Sequence, residues 1–201
     1  MGMSTIRSAA IAVVLICAVA IRARATTITV TNTNDSGPGS LRQALADAHD
    51  GDTVEATGIS GVIRLTTGEL LVDKSVTING PGADLLAVDG NAASAVFQVM
   101  AIGPVTISDL TIRNGQGGFG GGILNNGGAL LTVNNSTVSG NTAPFGGGIY
   151  NAGGLTIVNS TLSGNTATSE GAGTYNASTL TITNSTFSGN AAAGSGGGCI
   201  S

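Results

Sequence analysis

The feature that most constrains this chain is that its second half keeps starting over. Gly120-Gly121-Gly122-Ile123-Leu124-Asn125 returns as Gly146-Gly147-Gly148-Ile149-Tyr150-Asn151 and as Gly171-Ala172-Gly173-Thr174-Tyr175-Asn176, and a fourth copy opens at Gly196-Gly197-Gly198-Cys199-Ile200-Ser201. The starts lie 26, 25 and 25 residues apart. Between them runs a second recurring block, 131–138, 155–162 and 180–187, with a weaker copy upstream at 105–112. Each block alternates apolar and polar residues, the period of a strand with one buried face. In the 155–162 copy, Leu155 and Ile157 are expected to point inward and Thr156 and Val158 outward. A unit of this size cannot bury its own apolar face, but a stack of such units can. The pattern predicts an all-β solenoid of about six coils, stacked about 4.8 Å apart.

Composition fits that reading and excludes disorder. Only 9% of residues are charged and 33 are Gly, yet 41% are hydrophobic, which is too apolar for an unfolded polar tract. Gly and Asn recur where a coil must turn, because both tolerate left-handed backbone. Three asparagine columns result: Asn125, Asn151 and Asn176; Asn135, Asn159 and Asn184; and Asn141, Asn165 and Asn190. Stacked side-chain amides can hydrogen-bond along the solenoid axis, so these nine residues are expected to form a structural ladder. Asn-x-Ser/Thr sequences at Asn134, Asn135, Asn159, Asn176 and Asn184 are read as products of the same corner chemistry.

The start of the chain differs in character. Arg7, the apolar run 9–21 and Ala23-Arg24-Ala25 have the order of a secretory signal peptide over residues 1–25. The apolar run is too short for a membrane span. Its removal takes three of the seven basic residues and leaves four against eleven acids, a balance that disfavours nucleic acid as a partner. It also leaves Cys199 as the only cysteine. A secreted or cell-surface location is expected, with no stable membrane span in the mature chain.

Residues 26–55 read as an N-terminal strand and capping helix ahead of coils at 56–201. Thr26–Val30 alternates as a strand does. Ser40 is a plausible helix N-cap with Gln43 at the capping-box position. Leu41, Ala44, Leu45 and Ala48 make an apolar face, and Gly51 is a suitable stop. Ser36-Gly37-Pro38-Gly39-Ser40-Leu41-Arg42-Gln43-Ala44-Leu45 resembles the Cys-Ser-Leu-Arg-Glu-Ala opening of bacterial secreted β-helix proteins, with Gly39 for the Cys and Gln43 for the Glu. Asp50-Gly51-Asp52-Thr53-Val54 and 75–82 fit the same group. Gly147-Gly148-Ile149 with Leu162-Ser163-Gly164-Asn165 is similar to the repeats of polymorphic outer-membrane proteins. The resemblance implies a right-handed parallel β-helix of the pectate-lyase-like type, exported to the cell surface or beyond.

Chemistry is sparse. From Gly120 to Ser201 the only acid is Glu170, and there is no Lys, Arg or His. Glycoside hydrolysis needs paired carboxylates and lyase chemistry needs a base, often with Ca²⁺. The acidic candidates lie earlier, at Asp84, Asp89 and Asp109, the last in register with the Asn135 column. His49 stands alone near the end of the helix, so no metal site and no cofactor are expected. Cys199 falls in the Ile123, Ile149, Thr174 column and reads as a core residue. Tyr150 and Tyr175 share a column with Leu124 and Ile200 and read as surface cover. The leading reading is a non-catalytic adhesion or carbohydrate-contacting scaffold, with extracellular polysaccharide or cell-surface components as partners. A polysaccharide lyase or glycoside hydrolase of the same fold is the alternative. Ice binding through Thr132, Thr156 and Thr181 is a third. Ser201 lies six residues into a coil, so a longer reading frame is expected, and the protein is either a monomer or associates edge to edge through that open coil.

Overall fold

The computed structural model describes residues 25–194 and 197–201. The expected signal segment lies outside them, apart from Ala25. The described strands pair in parallel and stack into four sheets that wind around one core. The longest holds Thr27–Thr29, Thr53–Glu55, Thr77–Asn79, Gly103–Ser108, Ala129–Asn134, Gly154–Val158 and Thr179–Thr183. A six-stranded sheet runs from Gly61–Arg64 to Thr186–Ser188, a five-stranded one from Leu70–Val72 to Thr174–Asn176, and a three-stranded one from Thr142–Phe145 to Ala191–Ala192. The solenoid therefore has about seven turns, where six were expected. The additional one is Thr27–Thr29, which pairs in register with Thr53–Glu55. The sheet is thus continuous across the boundary expected at residue 55, through Thr53–Glu55 and Thr77–Asn79.

The alternation in sequence sets which face is inside. Val54, Ile78, Ile107, Val133 and Ile157 occupy one register column and are fully buried. Leu155 and Ile157 point in, while Thr156 and Val158 point out. Ile63, Val88, Ile112, Val138 and Leu162 form a second such column from the six-stranded sheet. Each of these side chains contributes about 1.5–3 kcal/mol by leaving water, and none could do so within its own coil.

Helix α1 (Leu41–Asp47) packs Leu41, Ala44 and Leu45 against the first coils. The Ser40 hydroxyl accepts the Gln43 N–H at 3.2 Å, as an N-cap does. The Gln43 side chain, however, donates to Asp47 rather than closing the capping box. The helix also ends before Gly51. Ala48 turns extended, which buries its methyl, and the His49 N–H donates to the Asp52 carboxylate at 2.8 Å. Gly51, at φ +92°, serves the turn into Thr53–Glu55 instead. Arg42 ties the helix to its surroundings: it pairs with Asp35 at 2.7 Å and donates to the carbonyls of Gly68 and Glu69.

A second difference concerns the last coil. Ile200, not Cys199, pairs with Thr174, so the register slips by one and Cys199 is exposed. Ile200 accordingly leaves the tyrosine column, whose paired members are Leu124, Tyr150 and Tyr175.

Candidate functional site

The loops joining the six-stranded to the five-stranded sheet lengthen along the solenoid, from 65–69 to 90–96 to 114–122. The longer loop therefore overhangs the shorter one beneath it. Two adjoining hollows result. One, of about 390 Å³, is bordered by Glu69, Ser94, Gln98, Gln116, Phe119 and Leu124. The other, of about 320 Å³, is bordered by Arg64, Asp89, Asn91, Asn114, Gln116 and Thr142. Gln116 lies on both, so they form one groove across the girth of the solenoid.

Aromatic packing fixes the overhang. Phe119 and Phe145 stack with centroids 5.9 Å apart and planes 16° apart, as do Tyr150 and Tyr175 at 5.1 Å and 8°. Edge contacts of Phe119 with Tyr150 and of Phe145 with Tyr175 join the two files, the geometry aromatic quadrupoles favour. The tyrosines thus cover one another's faces. Phe119 is the lowest ring of its file and is 49% exposed. One of its faces is against Phe145, and the other side borders the hollow above Ala93, Ser94 and Ala95.

The loop that carries it is equally fixed. The Gly115 N–H donates to Asn141 Oδ1 at 2.8 Å. A Cβ on Gly115 would lie 1.9 Å from the Gly121 carbonyl, so only glycine allows the loop to fold back on itself. Asn91, Ala92 and Asn114 take left-handed backbone at φ 57°, 51° and 51°. For alanine that conformation costs about 1–2 kcal/mol, and it lies at the groove floor.

Beside the groove runs a register column, Arg64, Asp89, Arg113, of which Arg64 and Asp89 border the hollow. Asp89 is 4% exposed, and its oxygens are engaged: Oδ1 accepts the Asn91 N–H at 2.9 Å, and Oδ2 accepts Arg113 Nε at 3.0 Å and Asn114 Nδ2 at 2.8 Å. Burial opposes its ionisation, but these donors outweigh burial and hold the carboxyl below the usual carboxylate range. It is a charge that orients Arg113, and its bonded oxygens leave it poorly placed as an acid or base.

The other acidic candidates do not join it. Asp109 sits at the preceding corner at φ 59°, and its carboxylate accepts from Asn135 Nδ2. Asp84 is exposed in the turn before Leu86–Asp89, at the opposite end of that strand from Asp89. Among the described residues no three His, Cys, Asp or Glu side chains gather as a metal site would require.

The asparagine columns divide by role. Asn125 donates to Asn151 and Asn151 to Asn176, each at 2.7 Å. Asn141 donates to Asn165 and Asn165 to Asn190, each at 3.0 Å. In the third column Asn135, Asn159 and Asn184 adopt φ of 48–49° at exposed corners, and apart from the Asn135 bond to Asp109 what they supply is backbone conformation. The serines that follow them also stack, with Ser136 N–H on Ser160 Oγ and Ser160 N–H on Ser185 Oγ, both at 3.1 Å. Each letter of these Asn-Ser-Thr triplets therefore has a place in the coil.

A family model described as a right-handed β-helix region matches residues 53–200. The chain belongs to that family. No curated protein and no solved structure gives a significant match. Within this right-handed β-helix the groove residues Phe119, Gln98, Gln116, Glu69 and Arg64 carry no repeat signal, because each lies where one coil differs from the next. The one trace in sequence is that Phe119 and Phe145 both immediately precede a glycine restart.

The threonine column also exceeds its sequence signal. Thr132, Thr156 and Thr181 continue through Thr106, Thr77 and Thr53 to Thr27, one in each strand of the seven-stranded sheet. No helix among the described residues is long and apolar enough to cross a membrane.

Proposed function

We propose that this right-handed β-helix is an exported, non-catalytic scaffold, secreted or held at the cell surface, that contacts an extracellular polysaccharide through the groove beneath Gln116–Phe119. One observation carries the reading: a half-exposed phenyl ring borders a hollow lined by Gln98, Gln116, Glu69 and Ser94 on rigid, stacked coils. The C–H face of a sugar ring rests well on an aromatic face, and its hydroxyls match carboxamides and a carboxylate. Glycoside hydrolysis needs two available carboxylates. With Asp89 fully bonded, Glu69 is the one left among the lining residues. Export is supported by the signal-like pattern of residues 1–25 and by the likeness of 36–45 and of the Gly-Gly-x-Ile and Ser-Gly-Asn repeats to secreted and outer-membrane β-helix proteins.

The test is depletion of the purified protein from solution by a panel of insoluble extracellular polysaccharides, with new chain ends assayed in the same tubes. Retention without new chain ends is expected, and Phe119→Ala weakens it about tenfold. Retention by no polymer, equal retention of the variant, or cutting of the polymer would each overturn the reading.

The threonine file favours a second reading, ordered water at an ice surface. Seven β-branched side chains of restricted rotamer repeat at about 4.8 Å along one sheet. Thermal hysteresis that disappears in Thr132→Lys with Thr156→Lys supports it, and absence of hysteresis in the unaltered protein removes it.

A further inference from the structure

We propose that Asn126-Gly127 is a self-modification site, at which the folded protein converts Asn126 to aspartate and isoaspartate while its other Asn-Gly pairs stay intact.

The chain has three Asn-Gly pairs, at 79–80, 114–115 and 126–127. In such a pair the backbone nitrogen of the glycine, unhindered by a Cβ, can reach and attack the asparagine Cγ. A C–N bond forms, the backbone nitrogen loses its proton, and the side-chain nitrogen takes one up and leaves as ammonia. Water then opens the resulting succinimide. Breaking the new Cγ–N bond leaves aspartate. Breaking the original peptide C–N bond leaves isoaspartate, whose main chain runs through the side-chain carbons. Water is the one co-reactant, and no oxidant or reductant enters.

The fold holds two of the pairs against this reaction. The Gly80 N–H donates to the Ser108 carbonyl at 2.9 Å, and the Asn79 carboxamide bonds to Glu55 and Ser108. The Gly115 N–H donates to Asn141 Oδ1 and Asn114 Nδ2 to Asp89 Oδ2, both at 2.8 Å. In each, the nitrogen and the carboxamide that must meet are committed elsewhere. The Asp-Gly pairs, 50–51 and 89–90, are engaged likewise through the Gly51 and Gly90 N–H groups.

At 126–127 these restraints are missing. Neither the Gly127 N–H nor the Asn126 carboxamide has a partner among the described residues. Asn126 is half-buried, and Gly127 and Gly128 are exposed, in the turn between Ile123–Asn125 and Ala129–Asn134. The product has consequences for its surroundings. It adds a carboxylate to the stretch 120–201, whose one acid is Glu170, beside a hollow bordered by Gly128, Leu130 and Gly154. The isoaspartyl form also lengthens a turn that the Ala129 N–H closes on the Asn126 carbonyl at 3.3 Å. This turn joins the five-stranded to the seven-stranded sheet, whereas the groove lies between the six-stranded and five-stranded ones. The inference therefore stands apart from the carbohydrate reading.

The experiment is incubation of the purified protein in mildly alkaline buffer made with heavy-oxygen water, followed by peptide mapping in a mass spectrometer. Isoaspartate is scored in the same peptides by enzymatic methylation. In the folded protein the peptide holding Asn126 is expected to take up solvent oxygen at least about tenfold faster than those holding Asn79 or Asn114, which must first open locally. In urea the three pairs convert at comparable rates, because the restraints are gone. Gly127→Ala slows conversion at Asn126 by at least about tenfold. Its thermal melt is unchanged, since a Cβ on Gly127 would meet the Ala152 carbonyl at 3.6 Å, an ordinary contact. Conversion of Asn79 or Asn114 as fast as Asn126 in the folded protein overturns the inference. So does an intact Asn126 after a time in which the urea-unfolded chain converts, a lead of Asn126 that persists in full in urea, or a Gly127→Ala variant that converts as fast as the unaltered protein.

Discussion

Phe119 lies on Phe145 across one coil step, with ring centroids 5.9 Å apart. This contact turns a repetitive stack into a surface with one distinct place. Above it the coils repeat nearly unchanged. Below it the 90–96 loop is shorter, and the ring overhangs a hollow. The groove is therefore a boundary between the variable early coils and the regular later ones.

The two kinds of asparagine column respond differently to mutation. Asn151 is fully buried, donates to Asn176 and to the Thr179 carbonyl, and accepts from Asn125 and Gly153. Asn151→Ala leaves several buried groups unpaired and is expected to cost about 2–4 kcal/mol. Asn159 supplies φ 49° at an exposed corner, so Asn159→Gly changes stability by less than about 0.5 kcal/mol, while Asn159→Val costs about 1–2 kcal/mol. Urea denaturation of the three variants checks the contrast. Similar losses for Asn151→Ala and Asn159→Gly would contradict it.

Thr174 sits in the apolar column of Ile123 and Ile149, fully buried, and its hydroxyl has no partner among the described residues. A valine keeps the shape and removes the unpaired oxygen. Thr174→Val is expected to stabilise the protein by about 1 kcal/mol, read as a higher urea midpoint at unchanged slope. A lower midpoint would show that the hydroxyl is bonded.

Acid should unfold the first coils before the later ones. Asp35, Asp52 and Asp89 are all held below the usual carboxylate range: Asp35 despite burial by Arg42, Thr66 and Thr67; Asp52 by the Thr26 and His49 N–H groups; Asp89 despite burial by Asn91, Asn114 and Arg113. Carboxyls with lowered folded values add stability that is complete above the unfolded value of about 4 and fades as pH falls through the folded values. The melting temperature is thus expected to stay level from about pH 8 to about pH 5 and to fall below about pH 4. Asp89→Asn lowers it at neutral pH by the loss of about 2 kcal/mol, and that deficit narrows in acid. A deficit constant with pH would contradict the assignment for Asp89.

The parts of this molecule legible in sequence are those that repeat. Alternation at 131–138 and 155–162 is visible because each inward residue meets its copy one coil away, as Val133 meets Ile157. The repeat spacing points to Cys199 where the fold has Ile200, because a run of glycines, 196–198, offers no side chain to fix register in sequence. Asparagine can serve a ladder or a left-handed corner equally well, so Asn141 and Asn135 look alike in sequence and differ only in the fold. The groove was illegible for a stronger reason. It depends on the length of 114–122 relative to 90–96, and a difference between coils leaves no periodic signal.

Hydrogen–deuterium exchange with and without a bound polysaccharide tests the central claim most directly, because it locates the contact. The account predicts slowed exchange in 90–96 and 114–119, little change along the Thr132–Thr156–Thr181 column, and loss of the effect in Phe119→Ala. Protection confined to the threonine face, or none in 90–96 and 114–119 while polymer is bound, would contradict it.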